Sequence, residues 1–385
     1  MIMVVVLVLS VSILLMVVVL CCRCQTYHRY EYRQQKPRRC YPFPLYSHFR
    51  LQSYEISVNS VANSKKSCIF AENSCGQHVM RQLFFELMQV SIGQLDCLSR
   101  GPSPEEWHEL YELAQREAVA GICYHGAVAL FEFGLRAPQD LIIDWMSESE
   151  EIREHNENAG SKLADFQQHL SKDRIRSSVF SGEGLRSCYG DELFYLREST
   201  SIDVYFTGYK NVAELGKPSG LDVNLMDAIT VGKHSWRSRR LEKWALENDE
   251  MLFTKDDRLT VPATTMRAVL YMAYLYNRLI SRNLSMRDLM DYFFILRSLG
   301  GQFEPFDNAK QSIGDVFRLL RLSRFAGGVM WLMQEVFALQ RECLPVEPLE
   351  EEGRFLMADV LLDYSYLSHW GHLLTHYSWY DLIKS

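Results

Sequence analysis

Asp203 and Asp222 lie in two short stretches of alternating apolar residues, Ser201-Ile-Asp-Val-Tyr-Phe206 and Leu221-Asp-Val-Asn-Leu225. Alternate residues of a strand share a face. Ile202, Val204 and Phe206 therefore point into a core, and Ser201, Asp203 and Tyr205 point into a cleft or solvent. In the second stretch Leu221, Val223 and Leu225 share a face, leaving Asp222 and Asn224 on the other. If the strands are neighbours, Asp203 and Asp222 approach each other. Two carboxylates beside a glycine-rich turn such as Ser181-Gly-Glu-Gly184 suit a divalent metal and phosphate chemistry. Spacing alone leaves a second reading open, two solvated aspartates on edge strands.

The elements that must position these residues are mostly helical. Leu83, Phe84, Leu87, Met88 and Ile92 recur at helical spacing, and Ser103-Pro-Glu-Glu106 reads as an N-cap with proline at the first helical position. Ala118 to Phe133 is apolar and reads as buried, and a polar, charge-rich helix runs from about Asp144 to Leu170. Between about 174 and 230 the period changes to two, with Ser177–Ser181 leading into the glycine turn. After this the chain reads as helical again. Pro262 opens a helix through Ile280, and Ser285-Met-Arg-Asp288 forms a capping box for the next, ended by Gly300-Gly301.

The run from Phe180 to Phe206 resembles the signature of the polymerase-beta-like nucleotidyltransferase superfamily, and more closely that of the bacterial (Bacteroidetes-type) nucleotidyltransferase family proteins. That family reads K-G-x-G, a Tyr, R-x-S-G-D-I-D and later V-E-x-H. Here stand Ser181-Gly-Glu-Gly184, Tyr189, Arg197-Glu-Ser-Thr-Ser-Ile-Asp203 and Leu221-Asp-Val-Asn224. Leu284–Leu296, Arg324-Phe-Ala-Gly-Gly-Val-Met330 and Glu352-Gly-Arg-Phe-Leu356 also match, so the likeness covers about residue 80 to the end. It implies an α+β fold, a small mixed nucleotidyltransferase-type sheet flanked by helices and followed by a helical C-terminal region. It also implies transfer of a nucleotidyl group from a nucleoside triphosphate to an unknown acceptor. Asp203 and Asp222 would be catalytic and bind Mg²⁺, while Gly182, Gly184, Arg197 and Ser199 would bind the nucleotide. The regions expected are 80–170, helical; 171–260, the nucleotidyltransferase-like core; and 261–385, helical.

The departures weaken the implied activity. The first Asp of D-I-D is Ser201, the Gly before it is Thr200, and the Lys is Ser181. The link from Phe206 to Leu221 is barely long enough for a crossover, so the family's intervening helix is expected to be lost. Replacing a bridging carboxylate by Ser removes a full negative ligand. A loss of roughly 3–5 kcal/mol of transition-state stabilisation lowers the rate by about two to four powers of ten. A weak enzyme and a catalytically dead pseudoenzyme, serving as a nucleotide-binding or interaction module, both follow from this.

The ends of the 385-residue chain add a third reading. Residues 1–22 are apolar and uncharged, enough to cross a bilayer, and Arg23, Arg29, Arg33, Lys36, Arg38 and Arg39 follow. This pattern predicts a signal anchor over 1–24 with the C-terminal side in the cytoplasm, at the inner membrane, then an irregular linker over 25–79. A tethered scaffold for polysaccharide assembly follows from that anchor. Cys21, Cys22 and Cys24 at its edge read either as an acylation site or as a plain cysteine cluster. The texture changes abruptly at Met80, which leaves a mis-called start open and with it a cytoplasmic protein. With 48% hydrophobic and 23% charged residues the chain is neither disordered nor collagenous, and a net charge of −7 argues against nucleic-acid binding. His369, His372 and His376 share a helical face, either a zinc site or part of an amphipathic helix. Lys233-His-Ser-Trp-Arg-Ser-Arg-Arg240 is a basic cluster for an anion, or a solvated loop entering a helix.

Overall fold

Local signals fix most of the helices. The computed structural model describes residues 79–360 apart from Thr200, Gly208, Lys210, His234 and 302–310. Helix α1 (79–91) buries Leu83, Phe84, Leu87 and Met88. Helix α2 (Pro104–Arg116) starts at a capping box in which Ser103 and Glu106 satisfy each other's backbone N–H groups. Helix α3 (Ala120–Ala129) is apolar and largely buried. The long polar helix α4 (Gln139–Lys172) sinks one stripe: Leu141, Trp145, Ser149, Asn156, Ala159, Leu163, Gln167 and Leu170. Its remaining faces carry the charges.

Three strands form the main sheet: β1 (Ser177–Val179), β2 (Ile202–Phe206) and β3 (Val223–Met226), in the order β1-β2-β3. β2 pairs antiparallel with β1 and parallel with β3. The chain from β2 to β3 carries a single 3₁₀ turn, Val212–Glu214, where a helix usually makes the crossover. A second, two-stranded sheet, β4 (Thr254–Asp256) and β5 (Leu259–Val261), closes around Asp257-Arg258. The sequence reading made this stretch helical. Two three-residue strands are too short to show a period, and only the pairing across the turn defines them.

Helices α5 (Ser235–Glu247), α6 (Thr264–Ile280), α7 (Met286–Leu299), α8 (Ile313–Leu319), α9 (Ser323–Glu335) and α10 (Glu350–Val360) complete the described chain. Pro262 precedes the first turn of α6, whose N-cap is Ala263. The capping box of α7 joins Ser285 and Asp288, and Gly300 ends it in the left-handed conformation. Helix α10 packs closely on α9, and a methyl on Gly328 would meet Glu352 and Leu356. At that crossing Arg324 pairs with the buried Glu352.

The result is a mixed α+β fold with small sheets. Ile202, Val204, Phe206, Val179 and Val223 pack with Leu163 and Leu170 of α4. The opposite face of β2 meets the larger helical core, and here Tyr205 departs from the sequence reading. It is buried, stacked on Phe180 at 5.6 Å, because helices cover that face as well. Among the described residues no helix is long and apolar enough to cross a membrane. The predicted span, the linker and the C-terminal histidines lie outside the described residues.

Candidate functional site

Asp203 is the second residue of β2 and is 9% exposed. The parallel register places Asn224, not Asp222, opposite it. Asn224 Nδ2 donates to Asp203 Oδ1 at 2.9 Å, and Ser181 Oγ donates to Oδ2 at 3.1 Å. Ser181 Oγ also accepts from the Asp203 backbone N–H at 2.9 Å. Burial raises the Asp203 carboxyl above its ordinary range, while the two side-chain donors pull it part of the way back. Asp222 is exposed, and its carbonyl accepts from the Ile202 N–H. The strands are neighbours as expected, but the pairing brings an amide to Asp203 where a second carboxylate was anticipated.

A cavity of about 60 Å³ opens beside Asp203, lined also by Phe180, Ser181, Arg267, Tyr274 and Asn277. Small-molecule pockets commonly measure roughly 300–1,000 Å³. Arg267 is committed: its guanidinium donates to the Pro262 carbonyl and to Cys188 Sγ. Asn277 bridges the Thr230 carbonyl and the Gly232 N–H. The donor set does not fit the two-ion arrangement that the family resemblance implies. That arrangement requires carboxylates shared between ions, and Asp203 offers one carboxylate already bound by two donors. Among the described residues no group of three or more His, Cys, Asp and Glu could hold a metal ion.

The glycines of the turn answer to packing. Gly182 has φ +59°, and a methyl there would lie 2.9 Å from Ile202 Cγ1. A methyl on Gly184 would lie 2.4 Å from the Val179 carbonyl oxygen. The turn can therefore press against both β1 and β2 only without side chains. This is a structural need, separate from the approach to phosphate expected of them.

Arg197 is placed differently from the expectation too. It is 4% exposed and makes a two-pronged ion pair with Asp291 of α7, both contacts at 2.6 Å. Tyr189 and Tyr271 donate their hydroxyls to the same carboxylate at 2.6 and 2.5 Å. Burial alone would raise Asp291, but the Arg197 guanidinium and these donors outweigh it and hold the carboxyl below its ordinary range. The network ties the loop before β2 to the helical half. Asn156 of α4 fastens the same loop from the other side, donating to the Tyr195 and Arg197 carbonyls. Glu198 accepts from the Ala120 N–H at the start of α3. Ser199 is half-buried beside this loop. The sequence gives no sign of this partner, since 94 positions separate the two residues.

The Asp288/Asp291 pair divides its work. Asp288 caps α7 and accepts from Arg278 and Arg287, in line with the capping role read from sequence. The guanidiniums of Arg237 and Arg240 in the basic cluster, and that of Arg321 from beyond it, lie within 5.3 Å of the Trp236 ring centre. Compared with models of protein families, with curated proteins and with solved structures, the chain matches none.

Proposed function

We propose that this chain is a nucleotidyltransferase-fold pseudoenzyme, a module that keeps the sheet and glycine turn of such enzymes without transferring nucleotidyl groups. One observation carries the proposal: Asp203 faces Asn224 and Ser181, with both carboxylate oxygens occupied by neutral donors. The resemblance of Arg197–Asp203 to a metal-binding signature supports the fold, and Ser201 in place of the first aspartate supports the loss of chemistry. The mixed order β1-β2-β3 is compatible with a nucleotidyltransferase-type sheet. In this reading residues 1–22 tether the module to the inner membrane and leave the folded part in the cytoplasm as an interaction module. The narrow cavity beside Asp203 favours that form over a nucleotide-binding one.

The test uses the full-length chain in detergent, titrated calorimetrically with Mg·ATP and Mg·CTP and assayed for transfer of the nucleotide's α-phosphate label. Absence of transfer is expected, with the double substitution Ser201→Asp, Asn224→Asp required before any Mg²⁺-dependent transfer is seen. Label transfer by the unaltered chain, abolished by Asp203→Asn, would overturn the proposal in favour of a slow enzyme. Heat of nucleotide binding without transfer would select the nucleotide-binding form, and no heat the interaction form. Retention at the membrane after deletion of residues 1–24 would reject the tether.

A further inference from the structure

A basic, aromatic corner forms where the first turns of α5 meet the end of α8. Arg240 Nη1 donates to the Leu319 carbonyl at 3.2 Å and joins the two helices. Its guanidinium stands 4.9 Å from the Trp236 ring centre, and that of Arg321 stands 5.3 Å from it. Arg237 lies deeper, buried, with Nη1 donating to the Tyr276 hydroxyl at 3.0 Å. Arg239, Arg240, Leu319 and Arg321 are exposed around the half-buried Trp236. Nearby, Lys243 and Arg318 have carboxylate partners, Glu247 and Asp315. The guanidiniums of Arg239 and Arg240 donate to the backbone carbonyls of Ser235 and Leu319, and no carboxylate pairs with them or with Arg321 among the described residues. Like charges gathered around one ring repel, and they do so here in a chain of net charge −7. Arg321 also holds the left-handed conformation, φ +55°, just past α8, where glycine fits without strain. What the position gains for that cost is a cation beside Trp236.

We propose that this corner docks on an anionic lipid surface, with Arg239, Arg240 and Arg321 meeting headgroup phosphates and Trp236 and Leu319 resting where headgroups give way to acyl chains. The proposal rests on the membrane tether read for residues 1–22, which keeps the fold beside a bilayer. Three features select lipid over other anions. Guanidinium forks match phosphate oxygens. Tryptophan, with an apolar body and a polar N–H, favours the membrane–water interface. Leu319, 36% exposed, offers an apolar contact that a soluble anion would not use. Charge completes the match, because the cytoplasmic leaflet is the anionic one, and it attracts this corner while repelling the net-negative remainder of the chain. Each cation near such a surface strengthens binding by about fivefold.

The test reconstitutes the full-length chain in vesicles of brominated phosphatidylcholine, with and without phosphatidylglycerol, and follows quenching of tryptophan fluorescence by the bromine. Quenching should be stronger with phosphatidylglycerol and should fall to the neutral-lipid level in about 0.5 M NaCl, which screens exposed charges. Of the seven tryptophans, Trp236 should carry the gain, so Trp236→Phe removes it. Arg239→Gln, Arg240→Gln and Arg321→Gln together should remove it too, with thermal unfolding at the parent's midpoint showing the fold intact. Arg321→Gly, which eases the backbone while removing one cation, should lower the gain even if the triple variant does not fold. Equal quenching in neutral and anionic vesicles, or a gain untouched by these arginine substitutions, would overturn the proposal. So would calorimetric binding of tripolyphosphate without any effect of the lipid, which would assign the corner to a soluble anion. Carbonate extraction of the same vesicles tests the tether separately. A chain that carbonate releases, yet whose quenching still depends on phosphatidylglycerol, has the docking face and no tether.

Discussion

Arg197 and Asp291 face each other through two parallel N–H···O contacts of 2.6 Å, with both side chains almost wholly removed from solvent. Two tyrosine hydroxyls complete the carboxylate, so the pair is satisfied as well as neutralised. Breaking one half leaves an uncompensated buried charge. Asp291→Asn and Arg197→Met should each cost about 3–5 kcal/mol, and the double substitution less than their sum. Urea unfolding of the four proteins measures this; strictly additive losses would mean the two groups do not interact.

Ser181 serves Asp203 twice, as donor to the carboxylate and as acceptor from its backbone N–H. Ser181→Ala should destabilise by roughly 1–3 kcal/mol through the groups left unpaired. It should also raise the Asp203 carboxyl further, because one of the donors that holds it down is lost. Carboxyl titration followed by NMR of labelled aspartates reports the direction, and a downward move would contradict the bond.

Gly184 and Gly216 make a matched comparison. Gly184→Ala drives a methyl to 2.4 Å from the Val179 carbonyl oxygen, backbone that cannot easily yield, whereas Gly216 has nothing within 4 Å. A loss of about 1–3 kcal/mol or more is expected at 184, and a change within roughly 0.5 kcal/mol at 216. Thermal unfolding of the two variants decides it, and equal midpoints would show that the turn does not press on β1.

Glu183 and Glu198 each carry a carboxyl raised by burial to about 7. The folded state then holds these protons more tightly than the unfolded chain. The associated stability is present below the ordinary value of 4.5 and is lost as pH rises through about 7. Glu183→Gln removes one share of this loss. Near pH 8 it should be more stable than the parent by on the order of 1–3 kcal/mol, the gap closing as pH falls toward about 4.5. A denaturation series across that window checks the sign, and a gap that widens toward acid would refute the assignment.

Much of the helical frame is legible in the sequence because it is encoded locally. Ser103 with Glu106 and Ser285 with Asp288 announce their helices within four residues, and Gly300 announces an end. The alternation in Ile202–Phe206 likewise gives a strand and the direction of Asp203. What the sequence could not show depends on partners far along the chain. The burial of Tyr205 follows from helices packed on the second face of β2, and the opposition of Asp203 to Asn224 from the register of a parallel pair. The β4–β5 hairpin is defined only by its own pairing. Arg197 looks like a phosphate ligand until its partner on α7 is known.

The four-residue knot of Tyr189, Arg197, Tyr271 and Asp291 also bears on how such a chain would drift. A lineage that kept this architecture while changing its chemistry would have to hold these four as one unit, since losing any single member exposes the others' unmet demands. Position 201 is only half-buried and lies outside this knot, so it would vary more freely. The arginine at 197 is then held in place by folding, whatever the chemistry nearby.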